Sequence, residues 1–192
     1  MGGRALLAND EFFAEKENLL KPGRGIFLPD KYTEQGKWMD GWETRRRRTP
    51  GHDWCVVELG LRGVIRQVDI DTNHFLGNHP PFASLDALCL TNEFPRGSGA
   101  VEGLPWAPIL PQSPLNPGSH NLFEIASAQA WTHLRLNIIP DGGVARLRVY
   151  GLVQSLRPRR RRARRQRGRG SGARSQGRNA AALHWPPDQA VE

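Results

Sequence analysis

The sequence has few cysteines and no long apolar run, and both absences restrict what the protein can be. Its 192 residues contain two cysteines, Cys55 and Cys89, without the Cys/His spacing of a zinc site. So few cysteines do not make a disulfide framework, and we expect free thiols in a reducing compartment, the cytoplasm. No apolar run reaches about 18 residues, and the N-terminus lacks the apolar core of a signal peptide. No membrane partner is therefore expected.

Common catalytic motifs are also missing. The chain has no nucleophile elbow around a serine, no P-loop and no Gly-rich dinucleotide fingerprint between a strand and a helix. Covalent catalysis by serine and nucleotide chemistry are therefore unsupported. We expect no cofactor, although the oxygen-rich group Asp69, Asp71, Asn73 and His74 leaves a divalent metal ion open as an alternative.

The positive charge is concentrated at the C-terminus. Residues 152–192 contain eleven arginines and two acids, whereas residues 1–151 carry 16 basic and 17 acidic groups and are almost neutral. A neutral segment of that length is sufficient for one domain with a core. The Arg-rich, apolar-poor tail is typical of disorder. We therefore predict a folded domain over residues 1–151 and a disordered tail over residues 152–192.

The tail has two interpretations. Eleven arginines would neutralise phosphates, which predicts nonspecific nucleic-acid binding, although the tail lacks the interleaved aromatic residues of stacking proteins. Alternatively, runs rich in Arg, Gly, Ala and Pro arise when GC-rich coding DNA is read in a shifted frame. We favour the second interpretation, a frameshifted tail.

The folded part has the pattern of strands joined by turn-rich loops. Residues 53–72 predict a hairpin with its turn at residues 60–63, because β-forming residues flank two glycines. Residues 134–138 and 145–149 alternate and predict a second hairpin. Its polar face would carry His133, Arg135, Asn137, Arg146 and Arg148. Several such strands with little helix predict an all-β fold, an antiparallel β-sandwich.

The most unusual stretch is residues 36–54, called the central stretch below. It combines three tryptophans, five basic residues, three acids and one histidine, without the period of a helix or a strand. Aromatic walls beside concentrated charge predict a pocket for a small, polar, charged molecule. The alternative is a folded loop in which arginines and acids pair with one another and the tryptophans anchor it.

Three segments together resemble the signature of the allantoicase family. They are the central stretch (GKWMDGWETRRRRTPGHDW), the segment VDIDTNHFLGNHPP from Val68, and the segment THLRLNIIPDGGVARLRVYG from Thr132. The N-terminal ANDEFFAEKENLL and the pattern W-x3-L-P-x-S-x-L-x-P-G-S-H from Trp106 fit as well. The resemblance extends from Gly3 to about Gly151, in the same order.

The resemblance implies a hydrolase of purine breakdown that converts allantoate and water to ureidoglycolate and urea. It also implies a jelly-roll sandwich of the galactose-binding kind, which agrees with the strand pattern. Family members usually carry two repeats and form oligomers, so a homo-oligomer is expected of an intact member. This chain has one repeat and then the unrelated tail. The alternative is therefore an inactive remnant, or a β-sandwich that only binds a small ligand.

The resemblance also suggests roles for individual residues. Allantoate carries a carboxylate and two ureido groups on one carbon. Glu43 or Asp53 would activate water, and His52 or His133 would protonate the departing urea. Arg45 or Arg46, with Arg146 as a further candidate, would bind the carboxylate. Asp71, Asn73 and Asp141 would bind the ureido N–H groups. Trp42 would form an aromatic wall of the site.

Overall fold

The computed structural model describes residues 2–95 and 97–154, where eleven strands and two short helical segments are found. The strands are β1 (Arg4–Ala8), β2 (Tyr32–Thr33), β3 (Gly36–Lys37), β4 (Trp42–Glu43), β5 (Asp53–Asp71), β6 (Phe82–Leu88), β7 (Ala107–Pro114), β8 (Leu122–Glu124), β9 (Ala130–Ile139), β10 (Gly143–Val144) and β11 (Arg146–Val153). A 3-10 helix spans Lys16–Leu20 and helix α1 spans Ser98–Glu102. Neither helix is long and apolar enough to span a membrane. The predicted disorder of the tail lies, from residue 155 onward, outside the described residues.

Strand β5 organises the fold. Its first part, residues 53–58, pairs with β1 and β9, and its second part, residues 63–71, pairs with β11, with β8 and, at residues 63 and 64, with the start of β9. Strands β6 and β7 continue the sheet beyond β9, and all these pairings are antiparallel. The predicted all-β class and antiparallel β-sandwich are confirmed.

The core receives side chains from both parts of β5. Cys55 and Val57 point into it from the first part, and Val68 and Ile70 from the second. These positions change from odd to even numbers along the strand, and register irregularities between them allow the change. They pack against fully or nearly fully buried residues of the neighbouring strands, namely Leu85, Leu134, Leu136, Ile138 and Leu147.

The predicted hairpin over residues 53–72 is wrong, because that segment is one continuous strand. Its glycines permit close approach of neighbouring chain and do not form a turn. A Cβ on Gly60 would lie 2.9 Å from the backbone of Gly2, and one on Gly63 would lie 2.7 Å from the carbonyl oxygen of Leu152. A glycine inside a strand often marks a site where another backbone segment approaches closely.

The second predicted hairpin is also wrong, although both of its strands exist. Strands β9 and β11 each pair with β5, share only its residues Gly63 and Val64, and do not pair with each other. The polar residues of β9 and β11 therefore do not form one shared face. Arg135 of β9 binds Asp86 at 2.8 Å, whereas Arg146 of β11 binds Asp40 at 2.6 Å.

The central stretch is attached to the sandwich by the short pair β4–β10. Gly143 pairs with Glu43, and Val144 pairs with Trp42. The Trp42 side chain is fully buried, and its indole Nε1 donates a hydrogen bond to the Asp10 carbonyl oxygen at 2.8 Å. Burial of this large ring fixes the strand that presents Glu43.

Core burial predicts the effect of one truncation. Leu136→Ala removes a fully buried side chain between the layers, and we expect the free energy of unfolding to fall by about 2–5 kcal/mol. The measurement is urea denaturation followed by tryptophan fluorescence. Leu122→Ala, at a side chain that is 57% exposed, is the matched control and should change stability little. Equal stability of the two variants would contradict this account of the core.

Candidate functional site

Three loops meet at one end of the sandwich. The loops are residues 44–52, 72–81 and 140–142. The Thr44 amide donates to the Gly142 carbonyl oxygen at 3.1 Å, and the Gly143 amide donates to the Asn78 carbonyl oxygen at 2.8 Å. Gly142 has a φ of 139°, and a Cβ there would lie 2.6 Å from the Asn78 oxygen. Only glycine satisfies both demands, so this position holds the three loops together.

A cleft of about 390 Å³ opens beside these loops. Its apolar surface comes mainly from Phe13, Phe27 and Leu76. Its ionisable and amide groups are Gln35, Lys37, Glu43, His74 and Asn78. A cleft with apolar walls and a few convergent polar groups is the usual form of a small-molecule site.

Glu43 is the carboxylate of this cleft. Its Oε1 accepts a hydrogen bond from the Asn78 amide at 2.6 Å. Burial raises the pKa of Glu43 above its ordinary value, and the hydrogen bond from Asn78 offsets part of that rise. The raised pKa makes the Glu43 carboxylate a stronger base than an ordinary glutamate. Of the predicted catalytic residues, Glu43 alone lines the cleft.

Asp53 and Asp141 hold the loop of residues 44–52 in place. Asp53 is buried, and its Oδ1 accepts hydrogen bonds from Arg47 Nη1 at 2.8 Å and from Asn9 Nδ2 at 3.0 Å. The Asp141 Oδ2 accepts a hydrogen bond from the Arg47 amide at 2.8 Å. Arg47 is thus the arginine of the four-residue run that points inward, and it is not one of those predicted to bind substrate.

The other predicted residues of the central stretch lie outside the cleft lining. Arg45 forms an ion pair with Asp10 at 2.7 Å. Arg46 and His52 are exposed, and Trp42 belongs to the core. The alternative interpretation, a loop whose arginines and acids pair with one another, therefore describes Arg47 and Asp53, whereas Arg45 pairs with an acid outside the stretch.

A second polar network lies along β11. Arg146 is 2% exposed, and its guanidinium donates to the Asp40 carboxylate at 2.6 Å and to the Asp40 carbonyl oxygen at 2.8 Å. Asp71 binds Arg24 at 3.0 Å, and also accepts the Asn73 amide at 2.9 Å. The Asn73 side chain donates to the Gly25 carbonyl oxygen at 2.8 Å. Three predicted substrate contacts, Arg146, Asp71 and Asn73, are thus bonded to protein groups.

His133 lies far from Glu43 along β9. His133 pairs in register with Glu58. Ile138, near the end of β9 that leads to the loop beside Glu43, pairs with Asp53. The strand from His133 to Ile138 is roughly 17 Å long. The ring of His133 packs 5.2 Å from Phe94, and its Nδ1 lies 2.8 Å from Thr132 Oγ1. Burial lowers the pKa of His133 below its ordinary value. The structure does not bring this histidine to the cleft.

No cluster of three or more His, Cys, Asp or Glu side chains in residues 2–95 and 97–154 is arranged to hold a metal ion. The oxygen-rich group considered for a cation is divided instead. Asp71 is bound by Arg24, and Asp69 accepts the Asn121 amide at 3.2 Å and lies 2.6 Å from His120 Nδ1.

Sequence reasoning did not single out Lys37 or Asn78 of the cleft, and it considered His74 only as part of the oxygen-rich group. Asn78 and His74 belong to a polar loop that follows a buried strand, which is a usual place for binding residues. That signal could have indicated them. Lys37 belongs to the central stretch, but the sequence does not distinguish it from the four arginines there, because its place in the cleft depends on the β2–β3 hairpin.

The chain was compared with known protein families and with known sequences. A family model described as the allantoicase repeat matches residues 1–154. "Probable allantoicase 1" of Burkholderia mallei is 53% identical over 154 residues, which cover 80% of this chain and 44% of that protein. "Probable allantoicase" of Ralstonia nicotianae is 50% identical with the same coverage. This chain thus spans less than half the length of the curated relatives that it matches.

Solved structures give a consistent result. The crystal structure of allantoicase from Saccharomyces cerevisiae has a TM-score of 0.63 and 37% identity, covering 78% of this chain and 40% of that one. A carbohydrate-binding module, CBM32-3 from a family 31 glycoside hydrolase of Clostridium perfringens, has a TM-score of 0.52 and 15% identity, covering 78% and 90%. The second likeness concerns the fold alone.

The buried ion pair between Asp40 and Arg146 predicts that replacement of Asp40 lowers the stability of the fold. Burial alone would raise the pKa of Asp40, but hydrogen bonds from Arg146 and the Ile26 amide outweigh it and lower that pKa. Asp40→Asn leaves Arg146 buried without its counter-charge, and we expect unfolding at pH 7 to become easier by about 3–5 kcal/mol. Urea denaturation measures this, with the exposed Asp30→Asn as control.

The same pair predicts the pH dependence of stability. A carboxyl whose folded-state pKa is lowered contributes stability above its unfolded pKa, about 3.9, and loses it as the pH falls through the folded value. Between pH 5 and pH 2.5 the wild type should therefore lose more stability than Asp40→Asn. Equal losses would contradict the assignment of this contribution to Asp40.

Proposed function

This chain belongs to the allantoicase family, and on that premise we propose that it hydrolyses allantoate to ureidoglycolate and urea. The observation that carries the proposal is the position of Glu43, a carboxylate of raised pKa on the wall of a cleft sized for a small molecule. The matched relatives are more than twice as long as the matched segment, so the activity is proposed for this chain on its own residues.

Glu43 is proposed as the general base. Its carboxylate takes a proton from water while the water oxygen bonds to the carbon that carries both ureido groups. The C–N bond to one ureido group breaks, and the departing nitrogen receives the proton that Glu43 took. One water is thus consumed, and the products are ureidoglycolate and urea. His74, which lines the same cleft, is the second group able to move a proton there.

The site suits the substrate in shape and polarity. Allantoate is small and its ureido groups are flat, so these groups can lie against the rings of Phe13 and Phe27, which line the cleft. The amides of Gln35 and Asn78 line the same cleft and can donate to or accept from ureido groups. A few placed polar groups on an apolar wall give orientation to such a ligand.

Compartment and assembly belong to the same proposal. Cys55 and Cys89 are free thiols, as predicted, and free thiols fit the cytoplasm. Exposed apolar side chains lie beside the cleft, with Phe12 50%, Tyr32 66% and Leu76 69% exposed. Exposed apolar surface of this kind favours association, so we propose a homo-oligomer.

Replacement of the base tests the proposal directly. Glu43→Gln keeps the size and the bond to Asn78 but cannot take a proton, and we expect kcat to fall by about 10²- to 10⁴-fold. The measurement is urea released from allantoate by the purified chain. Glu124→Gln, at an exposed glutamate of β8, is the control and should retain wild-type activity. Undiminished urea release by Glu43→Gln would remove Glu43 as the base.

The pH–rate profile tests the environment of Glu43. The base must be ionised, so activity should fall as the pH decreases through the raised pKa of Glu43. Asn78→Ala removes the hydrogen bond that lowers this pKa, so the acid limb should move to higher pH. A lower rate with an unmoved acid limb would instead mean that Asn78 acts only on the substrate.

A further inference from the structure

The group that binds the substrate carboxylate has to lie in the cleft, and the predicted arginines do not lie there. Arg146 is buried and bonded to Asp40 and to backbone carbonyls, and Arg45 is paired with Asp10. Arg46 does not line the cleft. Among the described residues of the cleft lining, Lys37 is the sole lysine or arginine. The described cleft lining therefore offers an anion one ammonium group and no guanidinium group.

The backbone of a small hairpin sets the position of Lys37. Strands β2 and β3 pair Tyr32 with Lys37 and Thr33 with Gly36, which leaves a two-residue loop. The Trp38 amide donates to the Lys31 carbonyl oxygen at 3.1 Å and closes the hairpin at its base. The hairpin therefore directs Lys37 by main-chain hydrogen bonds and not by the flexible side chain alone.

The ammonium group of Lys37 is held by aromatic rings. Its Nζ lies 4.6 Å from the ring centroid of Phe27 and 5.9 Å from that of Tyr32. Within the described residues, no carboxylate lies within ion-pair distance of it, whereas Lys16, Lys21 and six arginines have such partners. A cation–π contact orients an ammonium group without neutralising its charge. Its N–H donors remain available to an anion.

From this geometry we propose that Lys37 binds the carboxylate of the substrate, an inference that rests on the proposed function. Lys37 and Glu43 line one cleft with opposite charges and do not form an ion pair. The carboxylate of a small anion can bind at Lys37, while the water-activating group lies on another part of the wall. Charge repulsion between Glu43 and the substrate carboxylate favours this separation. The resulting contact orients the reacting carbon towards Glu43.

Equilibrium binding separates this inference from the catalytic proposal. The host is Glu43→Gln, in which allantoate is not turned over, and the comparison variants add Lys37→Met, Lys37→Arg or Lys31→Met to it. Lys31 is the matched control, because it lies on the same hairpin with its Nζ 3.8 Å from the Trp38 ring centroid and does not line the cleft. The probes are allantoate and methylenediurea, which has both ureido groups and no carboxylate. Calorimetry gives the dissociation constants.

We expect Lys37→Met to weaken allantoate binding by about tenfold to a hundredfold, as loss of a hydrogen bond between charged groups does. Affinity for methylenediurea should stay unchanged, Lys37→Arg should retain most allantoate affinity, and Lys31→Met should resemble the host. Equal allantoate affinity with and without Lys37 would overturn this inference and leave the proposed reaction intact. Failure of allantoate to bind the Glu43→Gln host at all would overturn both.

Discussion

The ion pair between Asp40 and Arg146 is the interaction on which the candidate site depends. It lies between the hairpin that carries Lys37 and the strand that carries Glu43, and its arginine belongs to β11 of the sandwich. Both partners are buried, so removal of either side chain would leave the other charge buried without its counter-charge. A polar stretch without strand periodicity is thereby fixed to a rigid scaffold. Fixed backbone is what a cleft requires to hold two opposite charges apart.

Charged residues of the central stretch have divided roles. Asp40 and Asp53 accept bonds from arginines and hold the chain, whereas Lys37 and Glu43 line the cleft. The division follows burial and pairing, because a charge bonded to an opposite charge is not free to bind a ligand. The self-paired interpretation of this stretch describes the pair Arg47–Asp53, whereas the pocket interpretation stays a prediction that concerns Lys37 and Glu43.

The sequence was sufficient for the class of the fold and insufficient for the strand pairing. Alternation identified β9 and β11 correctly, because side-chain period depends only on which face is buried. Pairing depends on which strands meet, and a glycine in a turn looks the same as Gly60 or Gly63 at a close approach. Likewise, four consecutive arginines are indistinguishable in sequence, and only the fold shows that Arg47 points inward.

The cleft is built entirely from residues between Phe13 and Asn78, together with loop contacts from Gly142 and Gly143, and all of these lie in the segment that matches the family. A second repeat is therefore not needed to supply the residues that line it. The exposed rings beside the cleft still favour a covering surface, since water-filled clefts weaken electrostatic contacts. Formation of the cleft and exclusion of water from it are thus separate requirements, and only the first is met within this repeat.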